Sequence, residues 1–174
     1  AVRTVTFAAL KPGLVLGAGP DHTGVVEVAD IGLDTSGATA HLVTDADVAG
    51  AIPARPRTTH KWRAACWIVA GSPGMTGAAL LVARGAQRAG AGYVRLSSPG
   101  LTHSGGPVEA VTVDLPAEGW DAEVLADLDR VAALGVGPGL GRADATRAAV
   151  RSVVAAADRP PLVVDGDGLA ALTP

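Results

Sequence analysis

The sequence predicts an α/β fold, a mostly parallel sheet flanked by helices and preceded by a short β-rich segment. Three observations carry that expectation. Short apolar runs at 66–70, 92–97, 131–136 and 161–165 are interleaved with segments of helical period, which is the pattern of βαβ units. Two of these runs lead directly into glycine-rich loops that precede a helix. The chain is 48% hydrophobic but only 3% aromatic, so its interior is mainly Ala, Val and Leu, which suits closely packed helices over a buried parallel sheet.

Residues 2 to about 33 read as short strands separated by Lys11-Pro12-Gly13, Gly17-Ala18-Gly19-Pro20 and Gly32. The clearest extended run there is Gly24-Val25-Val26-Glu27-Val28. A polar stretch follows, then Ile52-Pro53-Ala54-Arg55-Pro56-Arg57, whose prolines exclude a regular element. A domain boundary is therefore expected here, dividing residues 1–50 from 51–174. Beyond it the expected elements are a strand at 66–70, a helix at about 77–89, a strand at 92–97, a strand at 131–136, a helix at about 143–157 and a strand at 161–165. The 77–89 helix is read from Ala78, Leu81, Val82, Ala86 and Ala89 on one face and Arg84, Gln87 and Arg88 on another, with Gly90 ending it.

A length of 174 residues suits one domain, or one domain with part of another. Ala1 is not an initiator methionine, and the last strand is followed only by a glycine-rich turn, so both ends are expected to be cut from a longer chain. The net charge of -3 and scattered arginines form no basic stripe, which argues against nucleic acid and for a small-molecule partner. Cys66 is the sole cysteine, so no intramolecular disulfide can form; it reads as buried filler in a reducing compartment. No run approaches the roughly 18 apolar residues of a membrane span, and no signal peptide is visible, which makes the cytoplasm the expected location.

Open α/β sheets bind ligands beyond the carboxyl ends of their strands, and the unusual residues collect there. In Gly71-Ser72-Pro73-Gly74-Met75-Thr76-Gly77, the glycines Gly71, Gly74 and Gly77 together with Ser72 would let backbone amides approach an anionic or polar ligand at a helix start. A Walker A loop is excluded because Ala78 and Ala79 stand where Lys and Ser or Thr belong. A Rossmann fingerprint is excluded by Pro73 and by Ser97-Ser98 where an acidic residue should end the next strand. Gly137-Pro138-Gly139-Leu140-Gly141 forms a second such loop, and either loop could instead be a tight packing turn. Asp165 and Asp167 follow the last strand as substrate-positioning carboxylates or as turn formers, with no third ligand nearby for a metal. Lys61 could meet a dinucleotide phosphate or simply be solvated. His22, His41 and His103 lack metal-ligand spacing, and Trp62, Trp67 and Trp120 read as packing anchors.

Five blocks in order resemble the NAD(P)H-hydrate dehydratase family over about residues 53–174. They are His60-Lys61; Val69-Ala70-Gly71-Ser72 with Met75-Thr76-Gly77-Ala78-Ala79; Arg88-Ala89-Gly90-Ala91-Gly92-Tyr93-Val94; Gly137-Pro138-Gly139-Leu140-Gly141; and Val164-Asp165-Gly166-Asp167-Gly168-Leu169. Trp62 departs from the glycine that the family usually has after His-Lys. The first 35 residues, with Thr4-Val5-Thr6-Phe7, Lys11-Pro12-Gly13 and Asp30-Ile31-Gly32, resemble the tail of the Rossmann-like epimerase domain that precedes the dehydratase in bifunctional members.

The resemblance implies a ribokinase-like fold, here incomplete, and ADP-dependent dehydration of (6S)-NAD(P)H-hydrate with Mg2+, the donor being ATP in eukaryotic relatives. It further implies epimerisation of the R and S hydrates by a K+-dependent domain of the parent, and a homo-oligomeric parent. Ala78, Gly137, Gly139 and Gly141 would line the hydrate site, with Lys61 and Asp165 as positioning groups. The family's Thr-Pro-His motif, Lys-rich nucleotide loop and Gly-Ser/Thr-Gly-Asp turn with its catalytic aspartate would follow Thr173-Pro174, so no catalytic residue is expected within this chain. A ribokinase-like small-molecule kinase and a non-catalytic nucleotide-binding fragment are the alternatives.

Overall fold

The computed structural model describes residues 1–102 and 106–173, so His103 lies outside the described residues. The chain divides into two compact units, Ala1–Ala54 and Arg55–Pro174.

In the first unit, strands β1 (Arg3–Phe7) and β2 (Val25–Ala29) pair in parallel, Arg3 opposite Val25 through Phe7 opposite Ala29. Parallel neighbours need a crossover, and two helical turns supply it: α1 (Pro12–Val15) and α2 (Gly19–Thr23). Each carries proline in its first positions, where a fixed φ is already helical and a missing N–H costs nothing. The segments around Lys11-Pro12-Gly13 and Gly19-Pro20, expected as separators between strands, are therefore short helices. With α3 (Asp45–Ala51) the unit holds two strands and three helices, which corrects the β-rich expectation.

Helix α3 begins with a reciprocal cap. The Thr44 amide donates to Asp47 Oδ2 at 2.8 Å, the Thr44 hydroxyl at 2.6 Å, and the Asp47 amide donates back to Thr44 Oγ1 at 3.3 Å. The Thr44 hydroxyl and amide, followed by the nearby His41 ring, lower the Asp47 pKa from 3.8 to about 2. A carboxylate whose folded pKa is depressed stabilises the fold above its unfolded value and loses that contribution as pH falls through the folded value. The α3 cap is thus expected to persist from neutral pH to about 4 and to come apart towards pH 2. An NMR titration of the Asp47 carboxyl checks this: a midpoint at the ordinary aspartate value would show that the cap does not form in solution.

The second unit opens with a 3-10 turn (Lys61–Ala64) and continues β3 (Ala65–Val69), α4 (Thr76–Arg88), β4 (Tyr93–Ser97), β5 (Ala110–Thr112), α5 (Trp120–Ala126), β6 (Ala133–Val136), α6 (Asp144–Ala155), β7 (Leu162–Val164) and α7 (Asp167–Leu172). Among the described residues its five strands are all parallel, in the order β5-β4-β3-β6-β7. From β3 the chain winds outward through β4 to β5, then returns to place β6 on the other flank of β3. The carboxyl ends of β3 and β6 thus flank the point where the strand order reverses, the usual crevice of open α/β sheets.

Alternation along each strand divides the core. Trp67 and Val69 of β3 join Leu134 and Val136 of β6 on one face, under α5, α6 and α7 through Trp120, Val124, Val150, Val153 and Ala171. Ile68 and Ala70 join Val94 and Leu96 on the other face, under Ala79 and Ala83 of α4. The helix face therefore differs from the expected one: Leu81 is 74% exposed, and the buried stripe is the smaller set Ala79, Val82, Ala83 and Ala86. Small side chains let α4 lie close to the sheet, where a leucine would hold it away.

Helix α4 covers only part of its face. Over β6 and β7 the sheet carries an open apolar trough of about 400 Å³, lined by residues including Ile68, Val82, Gly135 and Val163. Val163 is 70% exposed in consequence. Cys66 also lines this trough, and partial burial pushes its thiol pKa up, away from nucleophile chemistry. Among the described residues no helix is long and apolar enough to cross a membrane.

Candidate functional site

Two glycine loops are drawn together at the carboxyl edge between β3 and β6. The Gly71 amide donates to the Pro138 carbonyl at 2.8 Å, and the Ser72 hydroxyl donates to the Gly139 carbonyl at 2.9 Å. Ser98, directly after β4, adds a buried bond from its hydroxyl to the Ala70 carbonyl at 2.6 Å. A Cβ at Gly139, whose φ is +68°, would lie 2.9 Å from Ala78 Cβ and 3.1 Å from the Met75 carbonyl. The two loops approach so closely because one of them has no side chain at the contact.

The glycines have different surroundings. Gly71 is enclosed, with Ala79 and Ser98 each 3.0 Å from where its Cβ would stand. Gly74 and Gly77 face open space, since a Cβ at either would meet nothing within 4 Å. Helix α4 starts here with Met75 at its N-cap and no side-chain cap, leaving first-turn amides without a capping side chain at this edge. A hollow of about 220 Å³ lies beside the loops, lined by residues including Ser72, Pro99, Gly100, Leu140 and Thr146. Such an arrangement offers backbone amides and a close approach to a ring or an anionic group, without an ionisable side chain suited to proton transfer.

The two carboxylates of Asp165-Gly166-Asp167-Gly168 do not act as a pair. Asp165 directly follows β7, is exposed, and its side chain has no hydrogen bond or ion pair among the described residues. Asp167 is turned inward: Oδ2 accepts the Gly141 amide at 3.0 Å and Oδ1 accepts Arg142 Nε at 3.1 Å. Among the described residues no three His, Cys, Asp or Glu side chains gather as a metal-binding group.

Lys61 stands apart from the glycine loops. It sits in the turn before β3, at the amino end of the sheet, where Ala65 pairs with Tyr93. Its ammonium lies over the rings of Trp62 at 4.9 Å and Tyr93 at 5.4 Å. Five residues of strand span about 16 Å, so Lys61 does not join the glycine loops at the other end of β3. Adjacency to β3 in sequence says nothing about which end of the strand carries the ligand. Trp67 and Trp120 are fully buried anchors, while Trp62 packs against Tyr93 with its ring tilted by 47° and the ring centres 4.6 Å apart. Sequence reasoning missed the stitching roles of Ser72 and Ser98 and the inward turn of Asp167. For Asp167 the only signal was the alternating Asp-Gly-Asp-Gly itself.

Residues 66–174 match the profile of a family described as NAD(P)H-hydrate dehydratase. A bifunctional NAD(P)H-hydrate repair enzyme of Salinibacter ruber is 41% identical over 98% of this chain, and the match takes in 35% of that protein. The chain thus spans about a third of the length of that relative. An ADP/ATP-dependent NAD(P)H-hydrate dehydratase from Bacillus subtilis, co-crystallised with ATP and Mg2+, is similar with a TM-score of 0.56 and 28% identity, over 72% of this chain and 46% of that one. A ribokinase-like superfamily protein from Enterococcus faecalis shares the fold with a TM-score of 0.54 at 20% identity, over 69% of this chain and 43% of that one.

Proposed function

The chain belongs to the NAD(P)H-hydrate dehydratase family, and from that premise we propose that residues 51–174 supply the hydrate-binding side of an ADP-dependent dehydratase that returns (6S)-NAD(P)H-hydrate to NAD(P)H. The observation that carries the reading is the pair of glycine loops stitched together beside Ala78 and the uncapped start of α4. In this reading Ala78, Gly137, Gly139 and Gly141 line the hydrate, and Asp165 offers a free carboxylate at the rim. Phosphorylating the hydrate's hydroxyl makes a leaving group that the ring nitrogen's lone pair can expel.

The residues at this edge do not fit ADP and Mg2+ on their own. Asp165 is a single free carboxylate, and the Arg142 guanidinium is engaged by Asp167. No phosphoryl-transfer step is therefore assigned to them, and the nucleotide side belongs to other residues of the parent protein. Residues 1–50 fit in the same proposal as the tail and linker of a K+-dependent epimerase domain acting on the R and S hydrates. The parent is a cytoplasmic homo-oligomer in this scheme.

The purified 174-residue chain, supplied with NAD(P)H-hydrate, ADP and Mg2+, is expected to give no sustained formation of NAD(P)H by the absorbance of the reduced nicotinamide. Continued turnover would sink the assignment of catalytic groups to residues outside the chain. The intact parent should turn the hydrate over under the same conditions. A parent that ignored the hydrate but phosphorylated a small alcohol would be the ribokinase-like kinase instead.

A further inference from the structure

We infer that Asp167 is a positioning residue, whose carboxylate holds the 137–141 loop in the shape the hydrate site needs; the inference rests on the dehydratase reading above. The loop contains three glycines at φ +129°, +68° and +79°. Glycine backbone loses more conformational freedom on ordering than any other residue, and the loop has few side chains of its own with which to fix its shape. Its conformation has to be imposed from outside.

The surrounding contacts do this from two directions. From the β3 side, Gly71 and Ser72 donate to the carbonyls of Pro138 and Gly139. From the β7 side, Asp167 accepts the amide of Gly141 at 3.0 Å. The Asp167 side chain is only 18% exposed, and a charge-assisted bond sheltered from water is stronger than one between neutral groups. Its other oxygen accepts Nε of Arg142, directly after the loop, but that side chain is 69% exposed and an ion pair open to water contributes little to the hold.

The neighbouring glycines set Asp167 at a fixed distance from the loop. Gly166, at φ +56°, turns the chain out of β7. Gly168 lets α7 lie against the start of the loop, since a Cβ there would stand 2.9 Å from Gly137 Cα. Asp-Gly-Asp-Gly is therefore a bracket with one carboxylate directed inward and the other left free. Releasing Gly141 frees the loop beside Met75, whose Cε lies 3.7 Å from the position of a Gly141 Cβ, and loosens the Gly139 contact with Ala78 where the hydrate would bind.

The test uses the intact protein that carries this segment, with NAD(P)H-hydrate and ADP as substrates and rates normalised to folded enzyme. Asp167→Ala is expected to raise KM for the hydrate by about 10- to 100-fold, the scale of one lost hydrogen bond to a charged group, with a smaller change in kcat. Asp167→Asn retains an oxygen that accepts the Gly141 amide and is expected to recover most of the loss, while Arg142→Ala stays near wild type. Hydrogen exchange over 137–141 should quicken in Asp167→Ala and return in Asp167→Asn. An Asp167→Ala enzyme with less folded protein but unchanged KM would reduce Asp167 to a stability role and overturn the inference. So would an Asp167→Asn enzyme as impaired as Asp167→Ala, because the Arg142 ion pair would then be the important contact. A wild type that leaves the hydrate untouched sinks the dehydratase reading instead, and the exchange comparison then decides alone whether Asp167 holds the loop.

Discussion

Gly137→Ala is expected to be among the most damaging single methyl additions in the second unit. The ideal Cβ at this position falls 2.0 Å from the Asp165 carbonyl oxygen and 2.9 Å from both the amide nitrogen and Cα of Gly168. All of these are backbone atoms, which cannot swing aside as the end of a long side chain can. The φ of +129° adds strain for any residue with a side chain. Backbone strain of about 1–3 kcal/mol and an overpacking cost of similar size together put the loss at about 2–6 kcal/mol, a large part of the stability of a marginal domain. Gly85→Ala in α4 is the contrasting control. Nothing lies within 4 Å of its Cβ position, and its place in a helix predicts a gain of about 0.5–1 kcal/mol. Urea denaturation followed by tryptophan fluorescence measures both, since Trp62, Trp67 and Trp120 all lie in the second unit. A Gly137→Ala midpoint equal to wild type would show that the β6 and β7 ends are not packed as described.

Trp67→Ala is expected to cost about 3–5 kcal/mol, the range for emptying a buried large aromatic site. Trp67 is 1% exposed at the centre of the sheet. Its Nε1 donates to Ser97 Oγ at 2.9 Å, and the Ser97 hydroxyl donates to the Val113 carbonyl at 2.7 Å, so one side chain ties β3 to β4 and to the segment after β5. Arg95 lies over the ring at 4.5 Å while pairing with Asp127 at 2.6 Å. Removing the indole leaves a cavity beneath the mostly buried Arg95 guanidinium. Trp67→Phe keeps much of the volume and loses the hydrogen bond, so its cost should be nearer 1–2 kcal/mol. Denaturation midpoints for the two variants separate volume from hydrogen bonding: equal losses would assign the effect to the Trp67–Ser97 bond rather than to the filled space.

Elements long enough to show a period were legible in the sequence. The strand at 66–70 and the helix at 77–89 correspond to β3 and α4 with ends shifted by a residue, and the strands at 131–136 and 161–165 contain β6 and β7. The strand β5 and the helix α5 were not legible. Three residues are too few to establish an alternation, and α5 is held by burying Trp120 and Val124 against α6 rather than by a pattern of its own. The turns α1 and α2 escaped notice because Pro12 and Pro20 mark both turns and helix starts, and only the parallel pairing of β1 with β2 decides between them.

The candidate site divides in the same way. Sequence by itself determined the α/β class, the family through five ordered blocks, and the two glycine loops as the places where backbone could approach a ligand, because glycine and apolar periodicity are local properties of the chain. Tertiary structure alone decided that those loops are bonded to one another through Gly71 and Ser72, that Lys61 stands at the far end of β3, and that Asp167 rather than Asp165 grips the 137–141 loop. The physical reason is that each of these depends on which strand ends are neighbours. In a parallel sheet ordered β5-β4-β3-β6-β7, residues 71 and 138 are brought into contact by a crossover that no local pattern encodes.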